Sequence, residues 1–140
     1  MNHTKRNRGF SIMETVIALV VIVLVTAAAL SITMAAISAR VKMSNYSEAQ
    51  DFAHNVLECF KAAKDDNVDD RISNFENNVG VAGYKRENLT GTNPDYRYKA
   101  ENKFEAKITA DFDDDYFEIV VTEYGKDDKI IIQFEYGQKG

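Results

Sequence analysis

Hydrophobic and polar positions divide this chain into three stretches with different periods. Between Arg8 and Arg40 the sequence reads GFSIMETVIALVVIVLVTAAALSITMAAISA, in which Glu14 is the only charged residue, and from Thr15 to Ala39 there is none. Those twenty-five uncharged residues make about 37 Å of helix at about 1.5 Å each, enough to cross a hydrocarbon core of about 30 Å. A helix that is apolar on every side needs lipid or enclosing protein around it, and the mostly polar remainder is too small to enclose it. Membrane residence is therefore the reading that the pattern supports.

Beyond Ala39 the period changes to that of an amphipathic helix. Ala49, Phe52, Ala53, Val56, Leu57, Phe60 and Ala63 follow Val41 at spacings mostly of three or four, with Lys42, Glu48, Asp51, Glu58, Lys61 and Lys64 on the remaining surface. No Pro or Gly separates this stretch from the apolar one, so the spacing predicts one helix of about fifty residues. Its end is expected near Asp65 to Val68, because Asp65, Asp66, Asp69 and Asp70 would oppose the dipole of a helix C-terminus.

Residues 67–100 are rich in Asn and Gly and read as a connecting loop. Ile72, Phe75, Val79 and Val81 suit a short helix or strand packed on the main helix, and Thr90 to Asp95 reads as a turn. A period of two then predicts three strands. Phe104, Ala106, Ile108 and Ala110 alternate with polar residues in the first, and Phe117, Ile119 and Val121 share a face in the second. After a hairpin loop over Gly125 to Lys129, the third places Ile130, Ile132, Phe134 and Tyr136 together. The expected fold class is α+β: a long N-terminal helix, transmembrane in its first half, packed on a small three-stranded antiparallel sheet. The expected divisions are residues 1–9, a membrane helix over 10–39, and a head over 40–140 with amphipathic helix 40–66, loop 67–100 and sheet 103–137.

Composition narrows this picture. One hundred and forty residues suffice for one ordinary domain, and a single Cys excludes an internal disulfide. Cys59 falls near the expected helix–sheet contact and reads as a structural thiol. The overall charge of -5 conceals an asymmetry: His3, Lys5, Arg6 and Arg8 precede the apolar run, whereas the 101 residues from Arg40 carry 14 basic and 21 acidic side chains. Positive charge on the short side favours a cytoplasmic N-terminus and a single-pass arrangement with the acidic head across the membrane. A cleavable secretory signal shares the basic start, with small residues at Ala27 to Ala29 as its cut, but its apolar core runs to only about 7–15 residues.

Candidate chemistry is sparse. His3 and His54 are far apart in sequence, no phosphate-binding glycine motif occurs, and the acidic head offers no broad face for nucleic acid, so no catalytic constellation and no direct nucleic-acid binding is expected. Asp65, Asp66, Asp69 and Asp70, and likewise Asp111, Asp113, Asp114 and Asp115, carry oxygen ligands suited in kind to calcium, but neither group has the spacing of a twelve-residue calcium loop. No cofactor is expected, with calcium as the one candidate ion. Glu14 stands out, because a carboxylate at the entrance to an apolar run carries a desolvation cost unless it stays wet or finds a partner.

The segment KRNRGFSIMETVIAL resembles the N-terminal cleavage and methylation motif of type IV prepilins and the related type II secretion pseudopilins. The likeness consists of a short basic leader ending in Gly9, the aromatic Phe10, a small polar Ser11, apolar Ile12 and Met13, and the carboxylate of Glu14 before an uninterrupted apolar helix. It covers about residues 5–35. In that family a membrane aspartyl peptidase cuts after the glycine and methylates the new amine. The resemblance thus implies cleavage between Gly9 and Phe10, N-methylation of Phe10, and pairing of Glu14 with the Phe10 amine of a neighbouring subunit to set filament register.

It further implies a pilin-like fold and a structural subunit held in the cell membrane before assembly into a surface pilus or an envelope-spanning pseudopilus. The implied partners are homologous subunits, the prepilin peptidase, the lipid bilayer, and an inner-membrane assembly platform with a separate ATPase. The chain departs from the family in two places: many members carry Pro where Ser31 stands and Gly where Val23 stands. Adhesion, motility, competence and secretion are left open as the biological setting. The alternative is a single-pass, membrane-anchored extracellular binding or adaptor protein that forms no filament.

Overall fold

In the computed structural model, which describes residues 11–85, 88–92 and 95–138, the helical period persists across the boundary between the apolar and amphipathic stretches. Helix α1 runs unbroken over Ile12–Ala62. The chain nevertheless forms two compact units, Met1–Val41 and Lys42–Gly140. The described part of the first unit is helix, preceded by Ser11, with every residue exposed.

Within the second unit, α1 turns one stripe inward. Ala49, Phe52, Ala53, Val56, Cys59 and Phe60 are buried, at the three- and four-residue spacings that put side chains on one helical face. The helix ends at Ala62, four residues before the expected 66. Asp65 and Asp66 leave the helix, and Asn67 caps the next one by accepting from the Asp69 amide at 3.1 Å. That helix, α2 (Val68–Val81), puts Asp69 and Asp70 in its first turn, where the dipole favours anions. The acidic run unsuited to the end of one helix thus begins another. A Schellman motif closes α2: Gly83 at φ +90 donates to the Gly80 carbonyl at 3.1 Å, and Tyr84 to that of Val79 at 3.3 Å.

The sheet has five strands rather than the expected three. They are β1 (Leu89–Thr92), β2 (Asp95–Ala100), β3 (Phe104–Asp111), β4 (Tyr116–Glu123) and β5 (Lys126–Tyr136), paired antiparallel in chain order. The region read as a connecting loop therefore contains α2, β1 and β2. In β2, Tyr96 and Ala100 are buried, Tyr98 is half-buried, and Asp95, Arg97 and Lys99 alternate with them toward solvent. Pairing with β3 is what makes that short alternation a strand. Gly91 faces Tyr96 across the β1–β2 pair at φ +125, and a Cβ there would stand 2.3 Å from the Asp95 carbonyl oxygen.

The last hairpin also differs from expectation. Glu123 pairs with Lys126, so the turn needs only Tyr124 and Gly125, and residues 126–129 belong to β5. Register shifts beside Thr122 leave Ile131 without a partner, reversing the alternation there. Ile132 is buried and Phe134 half-buried as expected, but Ile130 is exposed and Ile131 packs partly against the core.

The core lies between the inner stripe of α1, α2 and one face of the sheet. Phe60 is its centre, with ring centroids 5.1 Å from Phe112, 5.2 Å from Phe117 and 6.3 Å from Phe75. Nearer the start of the stripe, Phe52 stacks on Tyr98 at 4.1 Å. The structure thus bears out an α+β head in which the C-terminal part of a long N-terminal helix packs on an antiparallel sheet.

Candidate functional site

The first turn of α1 is organised by its own side chains. Ser11 accepts the Met13 amide on Oγ at 3.3 Å, while its carbonyl accepts the amides of Glu14 at 2.9 Å and Thr15 at 3.1 Å. Ser11 and Glu14 have the S-x-x-E spacing of a capping box, which is legible in the sequence. Glu14 lies in the first helical turn, where the N-terminal dipole favours a carboxylate, and it is exposed. Gly9 and Phe10, the expected cleavage and methylation positions, lie outside the described residues.

From Ile12 to Ser44 every residue of the helix is exposed, including Leu19, Ile22, Leu24 and Leu30. The expected span from Thr15 to Ala39 lies within this stretch, which is long and apolar enough to cross a membrane. Several of its hydroxyls are satisfied locally. Thr26 donates to the carbonyls of Ile22 and Val23, each at 2.9 Å, Ser31 to Ala27 at 3.0 Å, and Thr33 to Ala29 at 2.9 Å. Polar hydrogens turned back onto the helix leave an outer surface compatible with lipid or with another apolar helix. At Ser31 this back-bonding accompanies continuous helix.

In the head, Arg71 of α2 joins the end of α1 to the β3–β4 turn. Its Nε donates to the Ala63 carbonyl at 3.1 Å, Nη1 to that of Phe112 at 2.5 Å, and Nη2 to Asp115 Oδ1 at 2.7 Å, while the guanidinium lies over the rings of Phe60 and Phe112. Sequence reading gave Arg71 no role, since its partners lie up to 44 residues away. Arg71 links α2, which starts in the first acidic group, to the β3–β4 turn that carries the second, but among the described residues no three Asp, Glu, His or Cys side chains are grouped to hold a metal ion. Asp111 Oδ1 instead accepts the amides of Asp113 at 3.1 Å and Asp114 at 3.3 Å, closing the β3–β4 turn. His54 is exposed on α1, and Cys59 belongs to the core, where burial first and the neighbouring Glu58 second push its thiol pKa up. The thiolate needed for nucleophilic chemistry is correspondingly suppressed.

No family model, curated protein or solved structure matches this chain.

Proposed function

We propose that the protein is a structural subunit of a type IV pilus or pseudopilus, released from its leader by a prepilin peptidase and assembled through α1 into a helical filament. The observation that carries this reading is a capped helix start bearing one exposed carboxylate, Glu14, on an apolar segment that continues without a break into a folded head. A membrane anchor alone needs only apolar length. A carboxylate retained in its first turn is accounted for when an amine of a neighbouring subunit neutralises it, because opposite charges enter an apolar bundle together more cheaply than either does alone. In this reading residues 1–9 face the cytoplasm, the head lies outside, Phe10 becomes the methylated N-terminus, and assembly exchanges lipid contact for helix packing. Separate ATP-driven machinery supplies the work.

Co-expression with a prepilin peptidase is expected to release residues 1–9, read by intact-protein mass, and retention of the leader would sink the filament assignment. Glu14→Ala is expected to insert into the membrane normally and to enter filaments poorly. Unchanged incorporation in a crosslinking assay would remove Glu14 from the register role.

A further inference from the structure

The solvent face of the head sheet carries two cations, Arg97 and Lys107, that are not ion-paired among the described residues. Cross-strand register puts Arg97 directly opposite Lys107, with Val120 next in the row. Both cations are exposed, and among the described residues neither has an ion-pair or hydrogen-bond partner. Lys99, one step along, reaches Glu105 at 3.7 Å. Like charges in register across a sheet repel. Here they line a groove of about 240 Å³ together with Val120, Thr122 and the carboxylates of Glu105, which pairs with Lys99, and Asp127.

The opposite imbalance occurs at the end of the head gathered by Arg71. Asp65, Asp66, Asp113 and Asp114 are exposed there, and Asp113 and Asp114 make no ion pair among the described residues. Asp69 and Asp70 have an internal reason in the α2 dipole, whereas Asp113 and Asp114 donate their backbone amides to Asp111 Oδ1 and their carboxylates have no ion-pair partner among the described residues.

We propose that the Arg97–Lys107 groove of one copy receives the Asp113–Asp114 turn of a second copy. Charge complementarity selects this occupant: the groove presents unpaired cations, and the same chain carries projecting carboxylates on a different surface. Made once per copy and not returned by the same neighbour, this contact is heterologous, and its repetition adds copies in one direction, as a filament requires. The proposal rests on the filament reading and supplies a head-to-head contact to accompany helix packing.

The test uses the full chain in membranes, with a photo-crosslinking residue replacing Val120 and a second, isotope-labelled copy. Captured peptides are expected to map to residues 111–115 or the adjoining 63–71, and capture should fall in about 0.5 M NaCl, where screening acts within about 4 Å. Arg97→Glu with Lys107→Glu should lower capture about tenfold, and Asp113→Lys with Asp114→Lys in the other copy should restore it. Circular dichroism confirms that each variant is folded. Capture of groove by groove, capture of lipid alone, indifference to charge reversal, or failure of the reciprocal exchange overturns the contact. Leader mass separates this result from the filament reading: a cleaved chain without capture loses only the contact, and capture by a chain that keeps its leader loses only the filament.

Discussion

Tyr96 and Arg71 show opposite ways of managing a polar group against an aromatic core. Tyr96 is buried, its hydroxyl has no hydrogen-bond partner among the described residues, and burial first and Glu76 second push its pKa up from 10 to about 12. A buried hydroxyl without a partner costs desolvation with no return. Tyr96→Phe is therefore expected to leave stability unchanged or raise it by up to about 1 kcal/mol in urea unfolding. Between pH 10 and about 12 the unfolded chain releases this proton while the folded chain retains it, so stability falls as pH rises. Tyr96→Phe should remove part of that fall. Arg71, by contrast, spends its donors on two carbonyls and a carboxylate. Arg71→Lys cannot reproduce that fork and is expected to cost about 1–3 kcal/mol, whereas Asp115→Asn, at an exposed partner, should cost below about 1 kcal/mol.

At the scale of elements, legibility followed the strength of the local period. The inner stripe of α1 and the alternations of β3 and β4 were readable because each repeats several times against one buried face. The β1–β2 hairpin was not, because its strands are short and Gly91, Asn93 and Pro94 are the residues that interrupt regular structure. Gly91→Ala, which would meet the Asp95 carbonyl and require a left-handed backbone, is expected to cost about 1–3 kcal/mol. Hydrogen exchange should show protection lost first in β1 and β2, with β3 to β5 retained. At the far hairpin, hydrogen bonds from Lys129 and then Lys126 hold the Glu123 carboxyl down to about 2 from 4.5. Its contribution is present above pH 4.5 and lost as pH falls toward 2, so exchange at the β4–β5 turn should quicken across that interval.

For the whole molecule, one continuous helix has an exposed apolar part, long and apolar enough to cross a membrane, and a part with one covered face. Residues 12–44 expose their side chains, whereas the stripe from Ala49 to Phe60 is covered by sheet and α2. Leu24→Arg is expected to impair membrane insertion while leaving the head folded, since a central arginine adds about 2.5–3.5 kcal/mol to the transfer of a helix. Recovery in the membrane fraction measures the first effect and head circular dichroism the second. The sequence by itself determined the apolar length of α1, the polar entrance at Ser11 and Glu14, the inward stripe and two alternating strands, because these depend on composition and near-neighbour period. Tertiary structure decided the five-strand count, the phase of β5 and the place of Arg71. Each depends on which distant backbone supplies the partner: β3 for β2, β4 for the shifted β5, and the carbonyls of Ala63 and Phe112 for one guanidinium.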